Sequence, residues 1–282
     1  MSIQLCMVIP TRNEAANIVE CMTAFLPAVQ EGWGEIIVVD NASADDTQAL
    51  ARRVAESLPA PVRPNVRIVE KGPERSAQRN AGWQLARADY VFFSDADMRL
   101  PEATLREIQQ KLSETNKPDA FFVREVRTGN GWWTRVRNFE RTFYDATCID
   151  ALRVIRRNLL EQTGGYDEQL NACEDWDLDR RLLQLTTNVA LTDGHLVHDE
   201  RRLTLGRHIR KKSYYSKSFS RYLEKWGRDE IARKQFGVGY RFVGVFIETG
   251  KWKRMLRHPV WMLAIWAERF CVGLIYLLRC KR

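Results

Sequence analysis

The chain has 282 residues, 45% hydrophobic and 28% charged, which is an ordinary globular balance and enough for one large domain or two small ones. Its net charge of +8 favours anionic partners: a nucleotide, a nucleic acid or an acidic membrane surface. Six cysteines without a C-x-x-C pair read as reduced, mostly buried thiols in a cytosolic setting, and a strand at the very start leaves no room for a signal peptide.

Residues 3–9 form a mostly apolar strand stopped by Pro10, and Thr11-Arg12-Asn13-Glu14 opens a helix reaching about residue 26. A second strand, 35–39, ends in Asp40-Asn41-Ala42-Ser43, and a helix covers 44–57. A third strand, 66–70, and the turn Lys71-Gly72-Pro73-Glu74 lead into a helix over 75–87. The fourth strand, Tyr90 to Phe93, runs into Ser94-Asp95-Ala96-Asp97. Side chains alternate along an extended chain, so Asp95 and Asp97 should point to one side. Two hard oxygen ligands there suit a divalent cation that also carries phosphate oxygens, although Asp97 could instead cap the next helix.

Short apolar strands separated by helices of roughly a dozen residues predict an α/β fold, with a mostly parallel, Rossmann-like sheet flanked by helices. Ligands of such sheets bind beyond the carboxyl ends of the strands. The polar residues fall there: Thr11, Asn13 and Glu14 after the first strand, Asp40, Asn41 and Ser43 after the second, Asp95 and Asp97 after the fourth. Neither G-x-G-x-x-G nor G-x-x-x-x-G-K-[ST] follows the first strand, which argues against the ordinary dinucleotide and P-loop readings.

In the second half, 101–112 is an amphipathic helix and 120–124 a strand. The run 127–148 carries Trp132, Trp133, Phe139, Phe143 and Tyr144 among Arg135, Arg137 and Arg141. It reads equally as a core helix or as an acceptor-side surface for an anionic lipid phosphate. A strand at 152–156 precedes the helix stop Gly164-Gly165. Glu174-Asp175-Trp176-Asp177-Leu178-Asp179 then places four carboxylates in six residues at the start of a helix reaching about residue 185. A helix N-terminus tolerates acids, but crowding also raises at least one pKa, as a base for a hydroxyl proton requires. His198 follows a short strand that begins at 189–191. The basic run 201–217 suits a flap over a diphosphate or a patch facing anionic lipid. Residues 251–258 are basic and aromatic, and 259–278 is apolar except for Glu268 and Arg269, which favours an interfacial or re-entrant membrane helix over a simple span.

These motifs resemble glycosyltransferase family 2, whose fold is GT-A. The resemblance rests on Val8-Ile9-Pro10-Thr11-Arg12-Asn13-Glu14, on the run from Val38 to Thr47, on Arg75-Ser76-Ala77-Gln78-Arg79-Asn80-Ala81-Gly82 and on Ser94-Asp95-Ala96-Asp97. Gly164-Gly165-Tyr166-Asp167-Glu168 and Glu174-Asp175-Trp176-Asp177 extend it. It implies that Pro10, Thr11, Asn13 and Glu14 border the nucleoside and that Asp40 reaches the base. Arg79, with Arg75, would lie near the diphosphate. Asp95 would approach the ribose, metal or sugar, and Asp97 would bind a divalent metal, Mn or Mg, with His198 as a second ligand or a diphosphate contact. Asp175 would be the general base, with Glu174 and Asp177 positioning it or the acceptor.

Two departures bear on the fit. The family usually has Asp-Gly-Ser where this chain has Asn41-Ala42-Ser43. The Gln-x-x-Arg-Trp of processive synthases is absent; Asp179-Arg180-Arg181-Leu182 stands here instead, so one sugar per acceptor is expected. The implied protein is an inverting transferase that moves a sugar from a nucleotide diphosphate sugar, UDP-linked by preference, to a glycan or lipid-linked acceptor. Residues 1–205 would be the catalytic domain, with a nucleotide-binding half at 1–98 and an acceptor-binding half at 99–205. Residues 206–282 would be a basic, helical extension facing an anionic membrane, peripheral or monotopic on its cytoplasmic side. The alternatives are a metal-dependent nucleotidyltransferase, or a nucleic-acid-binding protein on charge alone; acids at the strand ends would repel nucleic-acid phosphates, so no nucleic acid is expected.

Overall fold

The computed structural model describes residues 2–129, 131–199 and 219–279, with side-chain surroundings as far as residue 270. The basic run 201–217 lies outside the described residues. The strands are β1 (Leu5–Thr11), β2 (Gly34–Asp40), β3 (Val66–Glu70), β4 (Tyr90–Phe93), β5 (Met98–Arg99), β6 (Ala120–Arg127), β7 (Leu152–Arg156) and β8 (Val189–His198). They form one sheet in the order β3-β2-β1-β4-β7-β6-β8-β5. Strands β1 to β4 are parallel, β7 runs antiparallel to both its neighbours, β6 and β8 are parallel, and β5 is antiparallel to β8. The mixed α/β sheet flanked by helices agrees with the sequence reading.

Apolar residues on both faces of β1, β2 and β4 explain why helices cover both sides. One core holds Leu5, Met7, Ile9, Ile36, Val38 and Phe92 under α1 (Ile18–Thr23), α2 (Leu26–Gln30), α3 (Thr47–Glu56) and α5 (Glu102–Ser113). The other holds Cys6, Val8, Ile37, Val39, Val91 and Phe93 under α4 (Arg75–Leu85), α7 (Arg157–Thr163) and α8 (Glu174–Leu183). A third cluster joins α6 (Trp132–Arg141) to the C-terminal helix Pro259–Arg279 through Val136, Phe139, Phe143, Phe246, Met262 and Ile265. The aromatic run at 127–148 thus divides: Phe139 and Phe143 are core, whereas Trp132 and Trp133 are exposed.

Some expectations change. Pro10 does not stop β1, which continues to Thr11 with Pro10 opposite Val39. Ser94 donates to the Val8 carbonyl, so Pro10 faces the β4 side, beyond the end of β4, where no ladder bond needs its missing N–H. The first helix is two short ones, and the second begins with Pro27 in its first turn. The pieces expected at 189–191 and near 196 are one strand, β8, whose register against β6 shifts between Phe122 and Arg124. Asp97 caps no helix, because α5 starts only at Glu102.

The turn after α7 packs against α4. Gly165 has φ +74°, and a Cβ there would stand 2.5 Å from both Asn80 Oδ1 and Trp83 Nε1. That closeness lets Asn80 on α4 clamp the turn: its side chain accepts from the Tyr166 N–H at 2.8 Å and donates to the Tyr166 carbonyl at 2.9 Å. Gly165→Ala combines left-handed strain with a clash of the new methyl against the Asn80 and Trp83 side chains and should cost roughly 2–3 kcal/mol, read as a lower urea midpoint at unchanged m-value.

Candidate active site

The carboxyl ends of β1, β2 and β4 meet the start of α4. After β1, the Asn13 N–H donates to Ser43 Oγ at 2.8 Å, Asn13 Oδ1 accepts from the Ala44 N–H at 2.8 Å, and the Glu14 N–H donates to Thr47 Oγ1 at 2.8 Å. The loops after β1 and β2 therefore hold each other. Asp40, fully buried, accepts from Thr11 Oγ1 at 2.9 Å, the Ser43 N–H at 2.8 Å, Ser43 Oγ at 2.5 Å and Gln48 Nε2 at 2.8 Å. Burial alone would raise its pKa, but these donors carry it below the usual carboxylate value. Its lone pairs are taken up within the protein, so Asp40 acts here as the knot between the two loops. Gln78 on α4, which the sequence reading did not single out, donates to the Thr11 and Val39 carbonyls at 2.9 and 2.6 Å.

The Asn41-Ala42-Ser43 departure now has a geometry. Ala42 sits at φ +45°, a left-handed conformation that glycine adopts without a Cβ penalty.

Asp95 and Asp97 do not share one side of an extended strand. Residues 96–97 form a turn, closed by the Met98 N–H donating to the Asp95 carbonyl at 3.0 Å, and the two carboxylates meet different partners. Asp95 faces α4: Arg79 Nη2 donates to its Oδ1 at 3.0 Å, and Arg75 stands 3.9 Å from its Oδ2. Burial would raise the Asp95 pKa, but Arg79, Arg75 and Arg153 together hold it far below the usual range. Asp97 faces β8, whose pairing with β5 sets Met98 opposite His198. His198 Nε2 lies 3.1 Å from Asp97 Oδ2, and Asp97 Oδ1 is buried with no hydrogen-bond partner among the described residues. Burial lowers the His198 pKa, but Asp97 beside the ring turns the net shift upward.

Opposite, α8 brings its acids to the same arginines. Arg79 is only 1% exposed, and its Nη1 donates to Asp175 Oδ1 at 2.8 Å and lies 3.8 Å from Glu174 Oε1. The Tyr166 ring lies 5.1 Å below its guanidinium. Glu174 is buried, 3.2 Å from Arg75 Nη2; burial and Asp175 raise its pKa against the pull of both arginines. The Asp175 side chain is 29% exposed, the more open of the two acids. Asp177 leaves this group: it binds Arg181 at 2.6 Å, Trp226 Nε1 at 2.8 Å and Lys225 at 2.8 Å, tying α8 to the helical residues 219–226. These are its side-chain partners among the described residues.

Arg153 and Glu125 went unnoticed in the sequence. Arg153 on β7 binds Glu125 Oε1 at 2.5 Å, and Arg141 reaches both Glu125 and Asp150. Burial would raise the Glu125 pKa, but Arg153 and Arg141 bring it to about 2. The available signal was an arginine between Leu152 and Val154 in an apolar strand, where only a paired charge can be buried. One turn beyond Asp175, a cavity of about 310 Å³ opens along α8, lined by Phe122, Cys148, Trp176, Asp179, Arg180 and Gln235 among others.

Asp97 and His198 fit a hard divalent cation: the donors are a carboxylate whose buried Oδ1 has no partner among the described residues, and an imidazole nitrogen. Among the described residues no group of three or more His, Cys, Asp or Glu is arranged to hold a metal, so substrate oxygens or water would have to complete the shell.

The family model for glycosyl transferase family 2 matches residues 6–166, and the chain belongs to that family. It is therefore a glycosyltransferase, and the nucleotidyltransferase reading gives way. A second model, glycosyltransferase like family 2, matches residues 135–239. Among solved structures, the mannosyltransferase PcManGT from Pyrobaculum calidifontis, in complex with GDP-Man and Mn2+, is 20% identical over 96% of this chain and 80% of its own, with a TM-score of 0.60. S. aureus TarS 1-349 in complex with UDP-GlcNAc is 14% identical over 93% and 79%, also at 0.60. Glucosyl-3-phosphoglycerate synthase from Mycobacterium tuberculosis, with Mn2+, UDP and glucosyl-3-phosphoglycerate, is 16% identical over 78% and 79%, at 0.53. At these identities the likeness is one of fold. No curated protein matches the sequence.

Glycine at position 42, as in the usual family turn, should relieve the left-handed strain. Ala42→Gly is expected to stabilise the protein by roughly 1 kcal/mol, a rise in thermal midpoint with the nucleotide site unaltered.

Proposed function

We propose that this chain transfers one sugar from a nucleotide diphosphate sugar, UDP-linked by preference, to an acceptor hydroxyl with inversion at the anomeric carbon. The observation that carries this reading is the meeting of Asp175 and Asp95 on Arg79, which sets a part-exposed carboxylate on α8 opposite the carboxyl end of β4. Asp175 takes the acceptor proton as the hydroxyl attacks, and attack opposite the leaving diphosphate inverts the centre in one displacement. No protein nucleophile is required. The cavity along α8 supports an acceptor approaching from that side.

Asp97 and His198 are the residues that would hold a divalent cation, which supplies charge neutralisation for the departing diphosphate when bound. Arg75 and Arg79, at the start of α4, add fixed positive charge beside it. Glu14 belongs to the same crevice: burial raises its pKa, Asn17 opposes that, and Asp97 and Asp95 add to it. Neighbours of this fold were solved with GDP-Man or UDP and Mn2+, which supports a metal-bound diphosphate donor here.

Two measurements test the reading. Asp175→Asn should lower kcat by about 10²–10⁴-fold while leaving nucleotide binding intact; unchanged turnover would remove Asp175 as the base. In a thermal-shift panel of UDP, GDP, CMP and dTDP with and without Mn2+, one nucleotide should raise Tm by on the order of 5 °C at hundredfold excess over Kd, only with the metal. Asp97→Ala should abolish that rise, and a rise that survives it would relocate the metal.

A further inference from the structure

The helix Pro259–Arg279 is apolar on two opposite sides. Its inner side is committed: Met262 and Ile265 are buried in the cluster with Phe139, Phe143 and Phe246, Trp266 Nε1 donates to the Phe242 carbonyl at 2.9 Å, and Arg269 binds Glu140 at 2.7 Å. Its outer side carries Val260, Leu263, Ala267 and Phe270, all exposed, the three larger ones at 64%, 64% and 67%. At 3.6 residues per turn these four lie within an arc of about 80°. An apolar helix side of this extent is normally covered.

The short helix just before this one in the chain concentrates positive charge. Helix Trp252–Arg257 exposes Trp252, Lys253, Arg254 and Arg257, and no carboxylate occurs between Glu248 and Glu268. Trp252 is 45% exposed, with the Lys253 ammonium 5.9 Å from its ring. Leu256, in the same helix, is 63% exposed.

We propose that this face docks the protein onto an anionic membrane surface. Val260, Leu263, Ala267 and Phe270 enter the boundary between headgroups and acyl chains, Trp252 sits at headgroup level, and Lys253 and Arg257 meet lipid phosphates. The helix lies along the surface with one side in lipid, because its other side is bolted to α6 through the Arg269–Glu140 pair and the aromatic cluster. An acidic bilayer answers the apolar stripe and the cations together. A second copy would answer the stripe but bring another set of the same cations.

Co-sedimentation of the full chain with vesicles tests this without donor or acceptor, and so stands apart from the transferase reading. Vesicles of 30% phosphatidylglycerol in phosphatidylcholine should bind the protein at least tenfold more tightly than phosphatidylcholine alone, since each cation near an anionic surface contributes about fivefold. Leu263→Glu with Phe270→Glu should weaken binding at least tenfold. Lys253→Glu with Arg257→Glu should remove the preference for the anionic lipid. All four side chains are exposed, so folding should survive, and an unchanged thermal midpoint checks it. Equal binding to both vesicles, or binding indifferent to the Leu263 and Phe270 changes, would overturn the proposal. So would a lipid-free, concentration-dependent dimer in sedimentation equilibrium that those two changes dissociate, which would assign the face to a second copy.

Discussion

The structure turns on the burial of Arg79. A guanidinium with 1% of its surface exposed has given up hydration worth several kcal/mol, and only charge-paired hydrogen bonds can offset that loss. Its partners come from two places far apart in the chain, Asp95 after β4 and Asp175 on α8. The aromatic floor is a third, Tyr166. Satisfying one cation therefore fixes the end of the parallel strands, the start of α4 and the start of α8 relative to each other. The next residue, Asn80, secures the same joint through the Gly165–Tyr166 backbone. Two consecutive side chains on one helix thus join the first part of the sheet to the acid-rich helix that faces it.

Much of this frame was legible because the core strands are continuous apolar runs bounded by polar turns. β3 and β7 have the bounds that the sequence predicts, and Asp95, Asp175 and Arg79 meet although sequence spacing says nothing of their contact. The failures share a cause: each depends on a partner distant in sequence. β5 is two residues long and exists only because β8 pairs with it. Without that pairing, the Asp95-Ala96-Asp97 stretch reads as extended and its carboxylates as parallel; with it, the chain turns and sends Asp97 to His198. Pro10 stays inside β1 because β4 happens to end beside it. Asp177 and Asp175 look equivalent in sequence, but two residues on a helix are about 200° apart, so they face different neighbours.

The carboxylates of the crevice are held in different states by what surrounds them. Three arginines keep Asp95 charged, burial pushes Glu174 toward the neutral form, and Asp40 is consumed by hydroxyl, amide and backbone donors. A site lined by so many acids on a basic chain is stable only because the cations are interleaved with them. The Glu125, Arg153, Arg141 and Asp150 network repeats this pattern one layer further in, and Arg153 links the two layers by lowering the Asp95 pKa.

This sharing of one guanidinium constrains how the sequence can drift. Replacing Arg79 alone strands two carboxylates against each other, and replacing Asp95 or Asp175 by a side chain that cannot accept a hydrogen bond leaves the cation half-answered in a buried place. Positions 79, 95 and 175 therefore depend on one another. In a set of related sequences they should change together or stay fixed together, whereas the solvent-facing residues of α4 wander independently.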